Sequence, residues 1–142
     1  MIRHKPLPAD IEQRLPALGE RLARDPRVLF AYLFGGLAAG RRTPLSDVDV
    51  AVHLSPGADP VQSKLDLIPL LSDALGTDEI DLVILDEAPL MLRYRILRGR
   101  KVLAERDRSR RAAFESRTLR EAWDFLPRER EILERRYGLG RR

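Results

Sequence analysis

The chain has 142 residues, of which 44% are apolar and 34% carry a formal charge. This length gives room for one compact core, and the composition excludes an intrinsically disordered chain. No cysteine is present, which excludes disulfides, thiolate metal ligands and a thiol nucleophile. No apolar run approaches the roughly 20 residues of a membrane span, and the first residues lack the apolar segment of a signal peptide. A cytoplasmic location is therefore expected.

The first third of the chain predicts a helix followed by a strand. Apolar residues at steps of four, three and four predict an amphipathic helix over 8–24, and these are Ile11, Leu15, Leu18 and Leu22. Asp25-Pro26 ends this helix. The apolar run 28–34, rich in β-branched and aromatic residues, predicts a buried strand that stops at Gly35-Gly36.

The middle of the chain begins with a helical turn over 37–40 and a loop over 41–46, after which a second strand is predicted over 47–54. In this strand Val48, Val50 and Val52 point one way, and Asp47, Asp49, Ala51 and His53 point the other. A helix is predicted over 60–75, with its apolar side formed by Val61, Leu65, Ile68 and Leu71.

The last part of the chain predicts a strand over 80–85, a helix over 88–98 and a short strand over 101–104. A helical pattern then runs over 107–137 and is interrupted at Pro127. Tyr94 and Trp123 fall at positions that favour packing between helices. Because strands and helices mix without a regular alternation, the pattern indicates an α+β fold with a mixed sheet.

Charge is unevenly distributed along the chain. Residues 1–92 hold 9 basic and 14 acidic residues, a net charge of −5, whereas residues 93–142 hold 17 and 8, a net charge of +9. A basic C-terminal third is typical of a surface that binds nucleic acid or an acidic partner. Glu and Arg also alternate there, which is typical of a solvated helix face.

Asp47 and Asp49 are the first candidates for chemistry. On one strand face their side chains lie roughly 6.6 Å apart along the strand. Two carboxylates so close repel each other, and a hard divalent cation such as Mg²⁺ or Mn²⁺ removes that conflict. The alternative is a pair of solvated charges at a strand end.

Two further features accompany this pair. Gly35-Gly36 would let backbone N–H groups approach a phosphate, although two glycines after a strand also suit a tight turn. Asp81 stands in an otherwise apolar strand, where a carboxylate is costly unless it is paired or bound to a metal. The alternative for Asp81 is an edge position that points to solvent.

Together these residues resemble a known pattern. The segment from Gly35 to Val52, with ten residues between Gly36 and Asp47, resembles the Gly-Ser-x10-Asp-x-Asp motif of the DNA polymerase β superfamily. The small size and the stretch 80–97 resemble the minimal nucleotidyltransferases (MNT family), which are paired in prokaryotes with HEPN-domain ribonuclease toxins. The resemblance covers about residues 28–107. It implies one nucleotidyltransferase domain over 1–142, with a core over 26–106 and a helical extension over 107–137.

The resemblance also implies roles for individual residues. Asp47 and Asp49 would hold two Mg²⁺ ions, and Asp81 would share the second metal and help deprotonate the attacking hydroxyl. Gly35 and Gly36 would cradle the triphosphate of ATP, and Ser46 would orient the loop or a metal-bound group.

The sequence departs from the family pattern at Gly36, where the family usually has serine, and at Leu37 and Ala39, where basic residues are common. Arg41 or Arg42 is a candidate to reach the triphosphate instead, and a solvated loop charge is the alternative. His53 is expected beside the floor of the site and not as a metal ligand.

The function that the resemblance implies is that of an antitoxin enzyme, which transfers AMP from ATP to a hydroxyl, expected to be a tyrosine, of a HEPN toxin within a hetero- or homo-oligomer. Two alternatives stay open: a non-catalytic antitoxin that acts by occlusion, and a small-molecule (aminoglycoside-type) nucleotidyltransferase. The absence of duplex-gripping domains disfavours a nucleic-acid polymerase.

Overall fold

The computed structural model describes residues 6–41 and 47–137, with side chains described as far as residue 126. Five helices and four strands follow one another in the order α1 (Ile11–Arg24), β1 (Val28–Phe34), α2 (Gly35–Ala38), β2 (Val48–Leu54), α3 (Pro60–Leu75), β3 (Ile80–Ile84), α4 (Leu90–Arg98), β4 (Lys101–Glu105) and α5 (Arg108–Tyr137). The predicted order of elements and the α+β class are confirmed. None of the described helices is long and apolar enough to cross a membrane.

The strands form one mixed sheet in the order β3-β2-β1-β4. β1 is antiparallel to both β2 and β4, and β2 is parallel to β3. A parallel pair needs a crossover connection, which α3 supplies between β2 and β3. The two central strands are covered on both faces, whereas β3 and β4 lie at the two edges of the sheet.

Helices cover both faces of the sheet. On one face α1 and α3 pack against the valine row of β2, and this core contains Leu18, Leu22, Leu67 and Leu71. On the other face α4 and α5 pack against Phe30, Tyr32 and Ala51. The predicted alternation of β2 is confirmed, because its valines lie in the first core and Ala51 lies in the second.

The predicted buried face of α3 is wrong except at Leu71, which is buried. Val61, Leu65 and Ile68 are 68%, 59% and 40% exposed, and the buried residues of this helix are Ser63, Leu67, Leu71 and Leu75. The helix carries two apolar stripes, and periodicity alone does not say which one faces the core. Packing against α1 and the sheet selects the stripe with steps of four, and the other stripe stays in solvent.

Two predictions about the last helix are also wrong. α5 runs as one continuous helix past Pro127, because a proline removes one N–H and can bend a helix without ending it. Trp123 is 61% exposed and does not pack between helices. Within residues 108–126 of α5, where side chains are described, the buried positions are Phe114, Thr118 and Ala122, and Trp123 follows the last of them.

Part of the basic C-terminal third is structural and not a solvated face. The Tyr32 hydroxyl donates to Glu115 Oε2 at 2.6 Å, and Arg111 Nη1 donates to the same oxygen at 2.9 Å. Arg100 Nε lies 3.0 Å from Glu115 as well. Burial opposes ionisation of Glu115, but these hydrogen bonds and the charge of Arg100 outweigh it and lower its pKa. This cluster fixes α5 to the central strand β1.

Replacement of Glu115 by alanine is expected to lower the free energy of unfolding by about 2–3 kcal/mol, because it leaves a buried hydroxyl and two guanidinium groups without their shared acceptor. Chemical denaturation measures this change. The control is Glu20→Ala on the exposed side of α1, which should change stability by less than about 0.5 kcal/mol. Equal stability of the two variants would contradict a structural role for the cluster.

Candidate active site

Three strands bring the candidate site together at one end of the sheet. Phe34, the last residue of β1, is paired across the strands with Asp49 of β2. Asp49 is in turn the register partner of Asp81 in β3. Register partners in a sheet point to the same face, so the carboxylates of Asp49 and Asp81 are neighbours. Asp47 lies immediately before β2 and alternates onto the same face.

Asp81 is exposed, since β3 is an edge strand. The Asp81 side chain therefore points to solvent from an edge strand, which was the alternative interpretation of the sequence. It also lies beside Asp49. One carboxylate is thus open to an incoming molecule, while its neighbour is half-buried. Asp47 is partly buried, and its Oδ1 atom is out of contact with solvent.

The electrostatics of the site centre on Asp49. Burial raises the pKa of its carboxyl to about 6, and the negative charges of Asp81 and Asp47 push it in the same direction. After burial, the charges of Asp81 and Asp47 are the causes of this shift, because a like charge at short range disfavours ionisation of a carboxyl. In the absence of a cation, the folded protein is therefore destabilised when Asp49 is ionised.

Gly35 permits the close approach of β1 and the Asp49 carboxylate. Its φ is +74°, in the left-handed region that side chains disfavour. A Cβ atom built on Gly35 would collide with Asp49 Oδ2. The glycine is thus required twice, once for its backbone conformation and once for the space that the carboxylate occupies.

The surroundings of Gly36 explain why this chain has glycine where the family usually has serine. A Cβ atom there would lie 3.1 Å from the carbonyl oxygen of Arg41. That carbonyl is held in place, because the Arg41 N–H donates to the Gly36 carbonyl at 2.8 Å. A serine at this position would require the loop to shift by a few tenths of an ångström. The chain after α2 is therefore fitted to glycine.

Four other residues were suggested by the sequence for the site or its surroundings, and these are Arg41, Arg42, Ser46 and His53. Ser46 and Arg42 lie outside the described residues, and the Arg41 side chain is exposed. His53 shares the face of Asp49 but lies further along β2, where its ring stacks on Phe30 at 4.8 Å and meets Phe114 edge-on at 5.2 Å. The prediction that His53 is a neighbour of the site and not a ligand agrees with this aromatic packing.

The fit of a metal to the site rests on its donor set. Carboxylate oxygens are the ligands that Mg²⁺ and Mn²⁺ prefer, and a cation would favour the ionised form of Asp49, whose pKa is raised by burial and by the two neighbouring carboxylates. Among the described residues, however, no three acidic, histidine or cysteine side chains already converge on a single ion position. The donors therefore suit the ions in kind, and the side chains would have to turn towards them.

Gly35 follows β1, Asp47 and Asp49 lie just before and within the start of β2, and Asp81 lies in β3, so that the candidate residues meet at one end of the sheet. The family model "Polymerase beta, Nucleotidyltransferase" matches residues 17–109, which include all three aspartates and both glycines. The chain belongs to this family of nucleotidyltransferases. No curated protein matches the chain in sequence.

Solved structures share the fold. A toxin–antitoxin complex with AMP-PNP contains a chain 24% identical, with a TM-score of 0.69, and the alignment covers 84% of this chain and 95% of that one. The complex of tri-AMPylated Shewanella oneidensis HEPN toxin with MNT antitoxin gives 22% identity, a TM-score of 0.65 and coverage of 87% and 96%. The toxin–antitoxin complex MntA–HepT contains a chain 24% identical, with a TM-score of 0.64, and the alignment covers 86% of this chain and 96% of that one.

The structure also reveals a surface that the sequence pattern had assigned to the core. Val61, Leu65 and Ile68 lie beside Asp81, along the outer edge of β3. Only one signal in the sequence pointed to it, namely the second apolar stripe on α3, and that stripe was taken for the buried one.

Proposed function

We propose that this protein is the antitoxin of a toxin–antitoxin pair, and that it transfers AMP from ATP to a tyrosine hydroxyl of a HEPN-domain toxin with the help of two Mg²⁺ ions. The observation that carries the proposal is the juxtaposition of Asp49 and Asp81 in register across β2 and β3, with Gly35 against the Asp49 carboxylate. Support comes from solved structures of similar fold, which are toxin–antitoxin complexes, one with AMP-PNP and one with an AMPylated HEPN toxin.

In this proposal, Asp47, Asp49 and Asp81 hold the ions. Bound Mg²⁺ supplies stabilisation of the negative charge that develops on the α-phosphate and on the leaving pyrophosphate. The backbone N–H groups at Gly35 and Gly36 donate to the triphosphate, since the first N–H groups of a helix have no partner within it. Ser46 orients the loop before β2.

The reaction is an exchange at phosphorus. The acceptor oxygen forms a bond to the α-phosphorus, the bond from that phosphorus to the bridging oxygen breaks, and pyrophosphate leaves with the bonding electrons. Asp81 takes the proton of the acceptor hydroxyl, for which an exposed carboxylate beside the buried one is suitably placed. An exposed base is what an acceptor as large as a folded protein requires.

The proposal is tested by incubating the protein with ATP labelled at the α-phosphate, Mg²⁺ and a HEPN-domain protein from the same genome. Label is expected on the HEPN protein, and Asp47→Asn/Asp49→Asn should remove it. Asp78→Asn is the matched control, because it removes an exposed carboxylate just before β3. It should label at the wild-type rate.

Three other outcomes would count against the proposal. Equal suppression of the toxin by the wild type and by Asp47→Asn/Asp49→Asn, without label, would leave a protein that acts by occlusion. Label on an aminoglycoside added as a competing acceptor, and none on the HEPN protein, would indicate a small-molecule enzyme. Equal labelling by the double variant would remove the aspartates from the site.

A further inference from the structure

An apolar groove runs along the outer edge of β3. Its volume is about 510 Å³, and its walls are the exposed stripe of α3 on one side and the start of α4 on the other. Val61, Leu65 and Ile68 form the first wall, and Ala88 and Leu92 belong to the second. Asp81 also lines the groove, which is therefore continuous with the candidate active site.

The floor of the groove is the free edge of a strand. The Val48 N–H donates to the Glu79 carbonyl and the Leu85 N–H donates to the Val52 carbonyl, so odd-numbered residues of the β3 segment direct their backbone groups towards β2. By the alternation of a parallel pair, Leu82 directs its N–H and C=O away from β2. In the part of the chain that the structure describes, no further strand lies on that side.

The chemistry of the lining selects the class of ligand. Its charged residues are one cation, Lys64, and two carboxylates, Asp81 and Glu87. A nucleic acid would meet net negative charge there, with one cation against two carboxylates, which disfavours RNA or DNA. The exposed apolar side chains instead suit apolar residues of a polypeptide, and a free strand edge is a template for an extended segment.

We propose that the groove binds an extended apolar segment of the acceptor protein, which adds to β3 as a further strand and carries the acceptor hydroxyl towards Asp81. The inference rests on the proposed function. Backbone hydrogen bonds to the Leu82 edge supply affinity, and the pockets between α3 and α4 select apolar side chains. Leu65 is a specificity residue in this arrangement and does not touch the reacting atoms.

The test uses Leu65→Glu, which places a charge in the groove at a residue that is 59% exposed. Its matched control is Val102→Glu, an equally drastic change at a residue that is 44% exposed on β4, the opposite edge of the sheet. With labelled ATP and a HEPN-domain protein from the same genome, Leu65→Glu should raise the KM for that protein at least tenfold while leaving kcat and the KM for ATP unchanged. Val102→Glu should behave as the wild type.

Hydrogen exchange separates strand addition from other modes of docking. Upon formation of the complex, the amide of Leu82 should become protected, since a paired edge strand no longer exchanges with water. An unchanged Leu82 amide, or a Leu65→Glu variant with wild-type KM, would overturn the proposal.

Failure of the proposed function would be recognised separately. If the wild type transfers no label, the groove is judged by the dissociation constant of the complex with the same HEPN protein. A dissociation constant raised at least tenfold by Leu65→Glu, and unchanged by Val102→Glu, would support the docking surface. Equal constants, or no complex with the wild type, would reject it.

Discussion

Replacement of Asp49 by asparagine is expected to lower the rate of nucleotidyl transfer by on the order of 1000-fold or more, because it removes a charge that stabilises the transition state. The same change should raise the melting temperature of the metal-free protein by a few degrees. The loss of activity and the gain in stability follow from one cause. Asp49 is half-buried beside two like charges, and in the absence of a cation its burial and these charges both disfavour the ionised carboxylate in the folded state.

The gain in stability should depend on pH. The pKa of Asp49 is about 6 in the folded state, whereas an ordinary aspartate has a pKa of 3.8. The carboxyl therefore ionises more easily in the unfolded chain. The wild type is therefore destabilised progressively as pH rises from about 4 through 6, and the destabilisation is complete above that range. Well below pH 3.8 the carboxyl is protonated in both states and contributes no difference.

Thermal unfolding in EDTA at pH 4 and pH 7.5 measures this prediction. Asp49→Asn should be only slightly more stable than the wild type at the lower pH and clearly more stable at the higher one. Addition of Mg²⁺ at pH 7.5 should raise the melting temperature of the wild type and leave that of Asp49→Asn nearly unchanged. A variant less stable than the wild type at pH 7.5 in EDTA would show that Asp49 is held by favourable contacts instead of repulsion.

Replacement of Gly35 by alanine is expected to have the largest effect on the fold of any single methyl group added near the site. The left-handed φ of +74° alone disfavours a side chain, and the added Cβ would also displace the Asp49 carboxylate. Strain and overpacking together should lower the free energy of unfolding by roughly 3 kcal/mol. Transfer activity should fall with it, since the displaced carboxylate is a proposed metal ligand.

Gly57→Ala separates the two causes. Gly57 also has a positive φ, +85°, but nothing lies within 4 Å of a Cβ built there. This control should cost only the backbone strain, about 1–2 kcal/mol, and leave activity intact. Denaturation of Gly35→Ala in the background of Asp49→Ala completes the cycle, because shortening Asp49 removes the collision. If Gly35→Ala were equally destabilising in both backgrounds, the contact with the carboxylate would not be the reason for the glycine.

Local patterns in the sequence were sufficient for most of the fold. The alternation from Asp47 to His53 identified a strand buried on one face by valines, and the steps of four and three in 8–24 identified α1, since periods of two and 3.6 are set by backbone geometry alone. The same alternation placed Asp47 and Asp49 on one face. The link from Gly35-Gly36 to this pair came from the resemblance to a family motif, and the family match supports it.

Other features depend on which elements meet, and the sequence does not encode these locally. α3 has two apolar stripes, and only packing against α1 decides that Leu67 is buried and Leu65 is exposed. Pairing of Asp49 with Asp81 needs the parallel register of β2 and β3, two strands that are separated in the sequence by α3. Similarly, Glu115 and Tyr32 are 83 residues apart, and no local pattern joins them.

The sequence by itself thus determined the class of fold and the strands in which the three aspartates lie or which they border, because these follow from short-range periodicity, whereas the motif was identified by its resemblance to a family. The roles of the site residues stay predictions, and these residues are Asp47, Asp49, Asp81, Gly35, Gly36 and Ser46. The division into a core over 26–106 and an extension over 107–137 also stays a prediction. The tertiary structure decided the exposure of Asp81, the contact of Gly35 with Asp49 and the apolar groove at the edge of β3. All three arise where elements distant in sequence become neighbours. There the free energy of folding depends on steric contact and burial between elements, which local periodicity does not encode.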